Sequence, residues 1–180
     1  MKKILSLLIA GLLLVSLVAC GDSETDTDSK SNVVEKEYVE DEKQTGRFEY
    51  DDVNGELILT KYEPYNDMEL VDLVLPTEAK DGRLISGIKE GAFSGRSYIK
   101  SVKIPSSYEY IGDYAFAGCK ALETVTFGAG IKKMDEDMFD TSPALKAIYV
   151  PAKKASYYKK RLNENVHGLI VELEPVKNTK

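Results

Sequence analysis

Two cysteines, one histidine and a run of three carboxylates are the first residues to weigh for chemistry in this chain. Cys20 closes an uncharged apolar run, and Cys119 lies inside an apolar repeat column, where a free Cys behaves as a small buried hydrophobe. With Cys20 spent on the processing described below, Cys119 has no partner for an internal disulfide. His167 has no Ser, Cys or second ligand at an informative spacing, and zinc needs at least three protein ligands. Asp135, Glu136 and Asp137 are consecutive, so their side chains diverge and read as a solvated turn rather than an acid–base pair. The alternating acids Asp22, Glu24, Asp26 and Asp28 lack the Gly and the bidentate Glu of a calcium loop. A Gly-rich phosphate loop and a nucleophile elbow are both missing. These residues predict no catalytic group, no metal and no cofactor, hence a protein that binds rather than turns over.

A binding protein must hold its contact residues on a scaffold, and here the scaffold is written three times. From Ile88 the chain reads IKEGAFSGRSYIKSVKIP, from Ile111 IGDYAFAGCKALETVTFG, and from Met134 MDEDMFDTSPALKAIYVP. Five apolar columns recur every 23 residues: Ile88/Ile111/Met134, Phe93/Phe116/Phe139, Ile99/Leu122/Leu145, Val102/Val125/Ile148 and Ile104/Phe127/Val150. A period of about 20–30 residues marks a solenoid, in which each unit buries its apolar face against the next. Each unit ends in an alternating, β-branched stretch such as Ser101 to Ile104, the pattern of a half-buried strand. Pro105, Gly128 and Pro151 close these strands, since Pro gives the ladder no donor and Gly permits a turn. The segment before each strand, as in Gly112 to Phe116, is too short for a helix and predicts a helical or 3₁₀ turn that drops the Phe into the core. The expected fold is β-rich, with a parallel sheet on one face and short turns on the other.

The motif carried by Tyr114-Ala115-Phe116-Ala117-Gly118-Cys119 with Leu122 resembles the BspA-like leucine-rich repeat. Gly91-Ala92-Phe93-Ser94-Gly95 resembles it nearly as well, with Arg96 in place of the Cys. The third copy, Met138-Phe139-Asp140-Thr141, loses both the Ala and the Gly-Cys. The resemblance spans roughly residues 55–160. It implies a curved leucine-rich-repeat solenoid at a bacterial cell surface that binds rather than catalyses. The Asn ladder of the commoner leucine-rich repeats is missing, so their curvature is not carried over.

At the N-terminus, Lys2 and Lys3 followed by the apolar run Ile4 to Ala19 have the form of a signal peptide, shorter than the about 20 residues of a membrane span. Leu17-Val18-Ala19-Cys20 resembles the bacterial lipobox. That resemblance implies cleavage after residue 19, acylation of the Cys20 thiol and anchoring on a membrane, for which more than one acyl chain is needed. Residues 20–45 then read as a disordered acidic tether. Nine acids against three lysines give this stretch a charge of −6, with too few apolar groups to offset the entropy of ordering.

With the tether and the two N-terminal lysines set aside, residues 46–180 carry −2 of the formal −6. No basic patch interleaved with aromatics is present, so nucleic acid is not an expected partner. Residues 46–65 predict a hairpin turning at Asn54-Gly55, which would hide the first edge of the solenoid. Leu70 to Pro76 reads as the strand of an earlier, degenerate unit carrying about six extra residues near Lys80 to Arg83. Beyond Pro151, Ala152 to Leu162 predicts a short basic helix and Leu169 to Leu173 a last strand, so that the repeat domain spans 46–174 and a frayed tail 175–180.

Residues alternating with the buried columns would project from the concave sheet face: Asp72 and Val74, Ser101 and Lys103, Thr124 and Thr126, Ala147 and Tyr149. Of these, Ser101, Lys103, Thr124, Thr126 and Tyr149 are the candidate ligand-binding residues, Tyr149 the anchor because it joins apolar area to a polar tip. The expected function is adhesion or another protein–protein contact by a cell-surface lipoprotein. The alternative is an envelope accessory module that binds cell-wall polysaccharide or a membrane complex.

Overall fold

Each repeated unit contributes a strand near both of its ends, so the computed structural model, which describes residues 37–40, 45–66 and 69–175, holds two sheets. The strands are β1 (Tyr38–Glu40), β2 (Gly46–Val53), β3 (Glu56–Pro64), β4 (Val71–Val74), β5 (Ile85–Ile88) and β6 (Ile99–Ile104). They continue as β7 (Tyr110–Ile111), β8 (Thr124–Phe127), β9 (Lys133–Met134), β10 (Ala147–Val150) and β11 (Ile170–Glu172). Among the described residues, β4, β6, β8, β10 and β11 form an all-parallel sheet at one strand per unit, and the other six form the second. Val102 pairs with Val125 and Ile148 with Val125, the register that the 23-residue period requires.

The hairpin β2–β3 turns at Asn54 and Gly55, whose φ values of 56° and 88° are those of a type I′ turn. Its strand β3 pairs parallel with β5, so the hairpin closes the first edge of the second sheet. The degenerate leading unit is β4, where Leu73 faces Val102 across the ladder, and its extra residues form the turn around Lys80 and Asp81.

Between the two sheets lies the Phe column. Phe93 stacks on Phe116 at 5.2 Å and 8°, and Phe116 on Phe139 at 6.1 Å and 24°, with Phe93 and Phe116 fully buried. The intervening turns stack as well, each donating backbone hydrogen bonds to the next: Phe93 N–H to Ala115 O, Gly95 N–H to Ala117 O, Gly118 N–H to Asp140 O. Gly95 and Gly118 hold φ near 70° at one period's spacing, a conformation free to Gly but not to side chains with a Cβ. Thr141 stands at the same position in the third copy, with φ 52°.

Three expectations need amending. Residues 20–45 are not a tether throughout, because Tyr38–Glu40 form β1 and pair antiparallel with Arg47–Glu49 of β2, extending the second sheet beyond the hairpin. The face opposite the long sheet carries turns as foreseen, and in addition the short strands β5, β7 and β9, which make a ladder of their own. The expected helix over 152–162 keeps only α1 (Ala155–Lys159), followed by a 3₁₀ segment (Glu164–Leu169). Lys154 offers α1 no side-chain cap, and the short helix is held instead by tertiary contacts: Ala155 N–H donates to Glu172 Oε1 at 2.7 Å, the Tyr157 hydroxyl donates to Ile131 O at 2.9 Å, and Tyr158 is buried. The last strand forms as expected, β11 pairing parallel with β10. Among the described residues no helix is long and apolar enough to cross a membrane. Cys20 and the rest of the leader and tether up to residue 36 lie outside the described residues, as do residues 41–44 of the tether and the tail from 176.

Candidate functional site

Strand alternation turns every second side chain of the long parallel sheet away from the core, and the register lines these residues up in two rows. Asp72, Ser101, Thr124 and Ala147 form one; Val74, Lys103, Thr126, Tyr149 and Val171 form the other. The five sequence-predicted contact residues, Ser101, Lys103, Thr124, Thr126 and Tyr149, are therefore neighbours on one face. Lys103 is exposed and the other four are half-buried. Ser101 is partly committed already, because its hydroxyl donates to Asp72 Oδ1 at 2.6 Å. Beside the rows, the Lys146 ammonium meets Glu123 at 3.0 Å, an exposed pair that adds little stability. The surface is mainly polar with Tyr149 as its one aromatic, an extended face suited to a broad contact rather than to a small ligand.

The remaining reactive side chains have structural duties. The Cys119 thiol is buried, donates to Phe93 O at 3.1 Å, and is pushed by burial up to about 11, far from a thiolate at neutral pH. His167 holds its Nε2 against Leu162 O at 2.9 Å within the C-terminal cap. In the acidic run, Asp135 Oδ1 accepts from Asp137 N–H at 3.0 Å and Asp137 Oδ1 from Asn163 Nδ2 at 3.2 Å, so these carboxylates tie a turn to the cap. Among the described residues no group of three or more His, Cys, Asp or Glu converges as a metal site.

A groove away from this face was not foreseen. An open groove of about 450 Å³ lies between the hairpin and the first repeat turn, lined by Lys61, Glu63, Tyr65, Arg96 and Tyr98. Glu63 is held ionised, its pKa lowered to about 2 first by the Lys61 ammonium and then by Arg47, with Arg47 Nη2 at 2.7 Å. Tyr65, largely exposed, donates its hydroxyl to Glu40 at 3.0 Å. The hint was present in Arg96, which replaces the motif Cys. What sequence could not show is the return of the hairpin to face it.

Residues 66–169, more than half of the chain, match the family described as BspA type leucine rich repeat region, in six copies. The sequence columns had shown three regular units and one atypical unit, fewer than this match and fewer than the five strands of the long sheet. Similar solved structures include a leucine rich repeat protein of T. pallidum, at 21% identity over 68% of this chain and 53% of that one, TM-score 0.47. A leucine rich cell surface protein of Faecalibacterium prausnitzii A2-165 shares 21% identity over 72% of this chain and 38% of that one, TM-score 0.40. A leucine-rich repeat protein of Bacteroides capillosus ATCC 29799 shares 22% identity over 64% of this chain and 99% of that one, TM-score 0.41. The chain spans about half the length of the first of these. No curated protein matches it.

Proposed function

This chain belongs to the BspA-type leucine-rich repeat family, and we propose that it is an exported, lipid-anchored surface protein that binds a protein partner through the outer face of its long parallel sheet. A leucine-rich repeat domain of this family is a protein-interaction scaffold, and extended solenoid faces are where such scaffolds meet partners. The observation that carries the reading is the pair of in-register rows, in which Lys103, Thr126 and Tyr149 lie side by side without being spent on the core. Residues 1–19 serve as the signal peptide, Cys20 as the acylated anchor, the acidic stretch from 20 up to β1 at Tyr38 as a tether that lifts the repeat domain from the membrane, and 175–180 as its tail. Acylation rather than a spanning helix provides the attachment, since the apolar run ends at a lipobox-like Leu17 to Cys20. Adhesion needs no catalysis, and the buried Cys119 and the structural His167 fit a non-enzymatic role.

The test has two parts in the expressing bacterium. Cys20→Ser should move the chain from the membrane fraction to the soluble exported fraction and abolish incorporation of labelled palmitate. The full chain, in detergent, should bind saturably to at least one protein in a panel of extracellular-matrix and mucosal proteins. Unchanged membrane retention in Cys20→Ser contradicts the anchor; binding confined to cell-wall glycan contradicts the protein-partner reading.

A further inference from the structure

Arg96, Cys119 and Ser142 occupy one column at the 23-residue period, and the latter two behave alike. Each donates to the carbonyl of the Phe in the preceding turn: Cys119 Sγ to Phe93 O at 3.1 Å and Ser142 Oγ to Phe116 O at 2.9 Å. Arg96 stands in the first turn of that stack, so no preceding Phe carbonyl waits for it. Instead its side chain lines the groove against the hairpin, and its Nε is sealed from solvent with no hydrogen-bond partner among the described residues. A buried unpartnered donor is costly and uncommon, so a small shift of the Arg96 side chain toward the open groove, where an acceptor from outside can meet it, would relieve that cost.

The charges around it sharpen the point. Glu63, the one acid lining the groove, is already answered by Lys61 and by Arg47 behind it. Among the described residues no carboxylate forms an ion pair with Arg96. A planar guanidinium matches a carboxylate better than any other common group. The rest of the wall selects what carries that carboxylate. Tyr65 and Tyr98 present ring surface, while Tyr62 lies fully buried behind them with its hydroxyl bonded to Thr45 at 3.0 Å. The groove is open and mainly polar and offers no apolar hole for a peptide side chain, which protein hot spots require. Pyranose C–H edges, slightly positive, pack on the negative faces of aromatic rings.

We propose that this groove binds an acidic sugar, a uronic-acid unit whose carboxylate meets the Arg96 guanidinium while its ring lies against Tyr98 and Tyr65. The site is separate from the outer face of the long sheet and does not depend on that face binding a protein. It adds a glycan contact to the repeat domain at its membrane-tethered end of the sequence.

The probe is trigalacturonic acid, titrated calorimetrically into the full chain in detergent, beside its trimethyl ester and a triglutamate peptide. Saturable binding of the acid is expected, weakened about tenfold or more by esterification or by Arg96→Gln, as for a charge-assisted contact. Arg96→Lys should recover part of the affinity, because it keeps charge but loses the planar fork. A Lys103→Ala/Thr126→Ala/Tyr149→Ala chain should bind the acid as the parent does. The inference is overturned if the acid does not bind the parent chain, if the ester binds equally, or if triglutamate binds more tightly than the sugar. The ester comparison needs no variant, so a folding defect in Arg96→Gln would leave the test intact.

Discussion

The Phe column is the mechanical link between units, and it makes a prediction that depends on position in the stack. Phe116 stacks on two rings, Phe93 at 5.2 Å and Phe139 at 6.1 Å, whereas Phe93 stacks on Phe116. Each aromatic pair contributes about 0.5–1.5 kcal/mol beyond area burial. Replacing either residue by Leu removes a similar volume from a fully buried site, so the packing loss is shared and the ring contacts differ. Phe116→Leu should therefore cost about 0.5–1.5 kcal/mol more than Phe93→Leu, the value of one extra ring pair. Urea unfolding followed by far-UV circular dichroism resolves this: at an m-value of about 1–3 kcal/mol/M, 1 kcal/mol moves the midpoint by about 0.3–1 M. The Phe93→Leu/Phe116→Leu double variant should fall short of additivity by about the same 0.5–1.5 kcal/mol, since the pair is lost only once. Equal costs for the two single variants, with an additive double, would show that the rings fill space without acting as a stack.

Thr141 occupies the left-handed position that Gly fills in the two earlier turns, and Thr141→Gly should raise the unfolding midpoint, with a gain of up to about 1 kcal/mol after the entropy of the freer unfolded chain is set against relieved strain. Loss of stability there would mean that the Thr side chain is worth more than its backbone costs. Cys119, with its thiol at about 11 against an ordinary 9.0, should hold about a hundredfold less thiolate at pH 8. In a Cys20→Ser chain, Ellman's reagent should label it far more slowly folded than in guanidinium, and equal rates would contradict its burial. Glu63 has its folded pKa lowered from 4.5 to about 2, so its contribution is present above pH 4.5 and lost as pH falls through about 2. Glu63→Gln should make the acid limb of stability shallower across that window, and by a small amount because the pair is solvent-screened. An unchanged limb would mean that Lys61 and Arg47 do not hold the carboxylate.

Much of the fold was legible because periodicity is a property of the chain alone. The 23-residue columns placed Val102, Val125 and Ile148 in register before any coordinates, and Asn54-Gly55 located the hairpin turn through the positive φ it permits. The short strands of the second sheet were not legible, since two residues such as Tyr110–Ile111 or Lys133–Met134 cannot display an alternation. Their strand character comes from neighbours of the same length stacked at the same place in each unit. The rows of the outer face followed from period two combined with period 23, but the bond that ties Ser101 to Asp72 did not. Arg96 stood out in the sequence as a break in a motif; only the hairpin folding back against the first turn makes that break the wall of a groove.

The outer face of the long sheet carries the central claim, and one measurement addresses it most directly. The full chain and its Lys103→Ala/Thr126→Ala/Tyr149→Ala variant should be titrated against the protein partner recovered from the binding panel, with circular dichroism of both confirming an intact repeat domain. The three residues lie side by side in one row, and truncating a row with a Tyr anchor at its end should weaken binding by at least about tenfold while leaving the fold unchanged. Equal affinity of the folded variant and the parent would place the binding surface elsewhere on the solenoid.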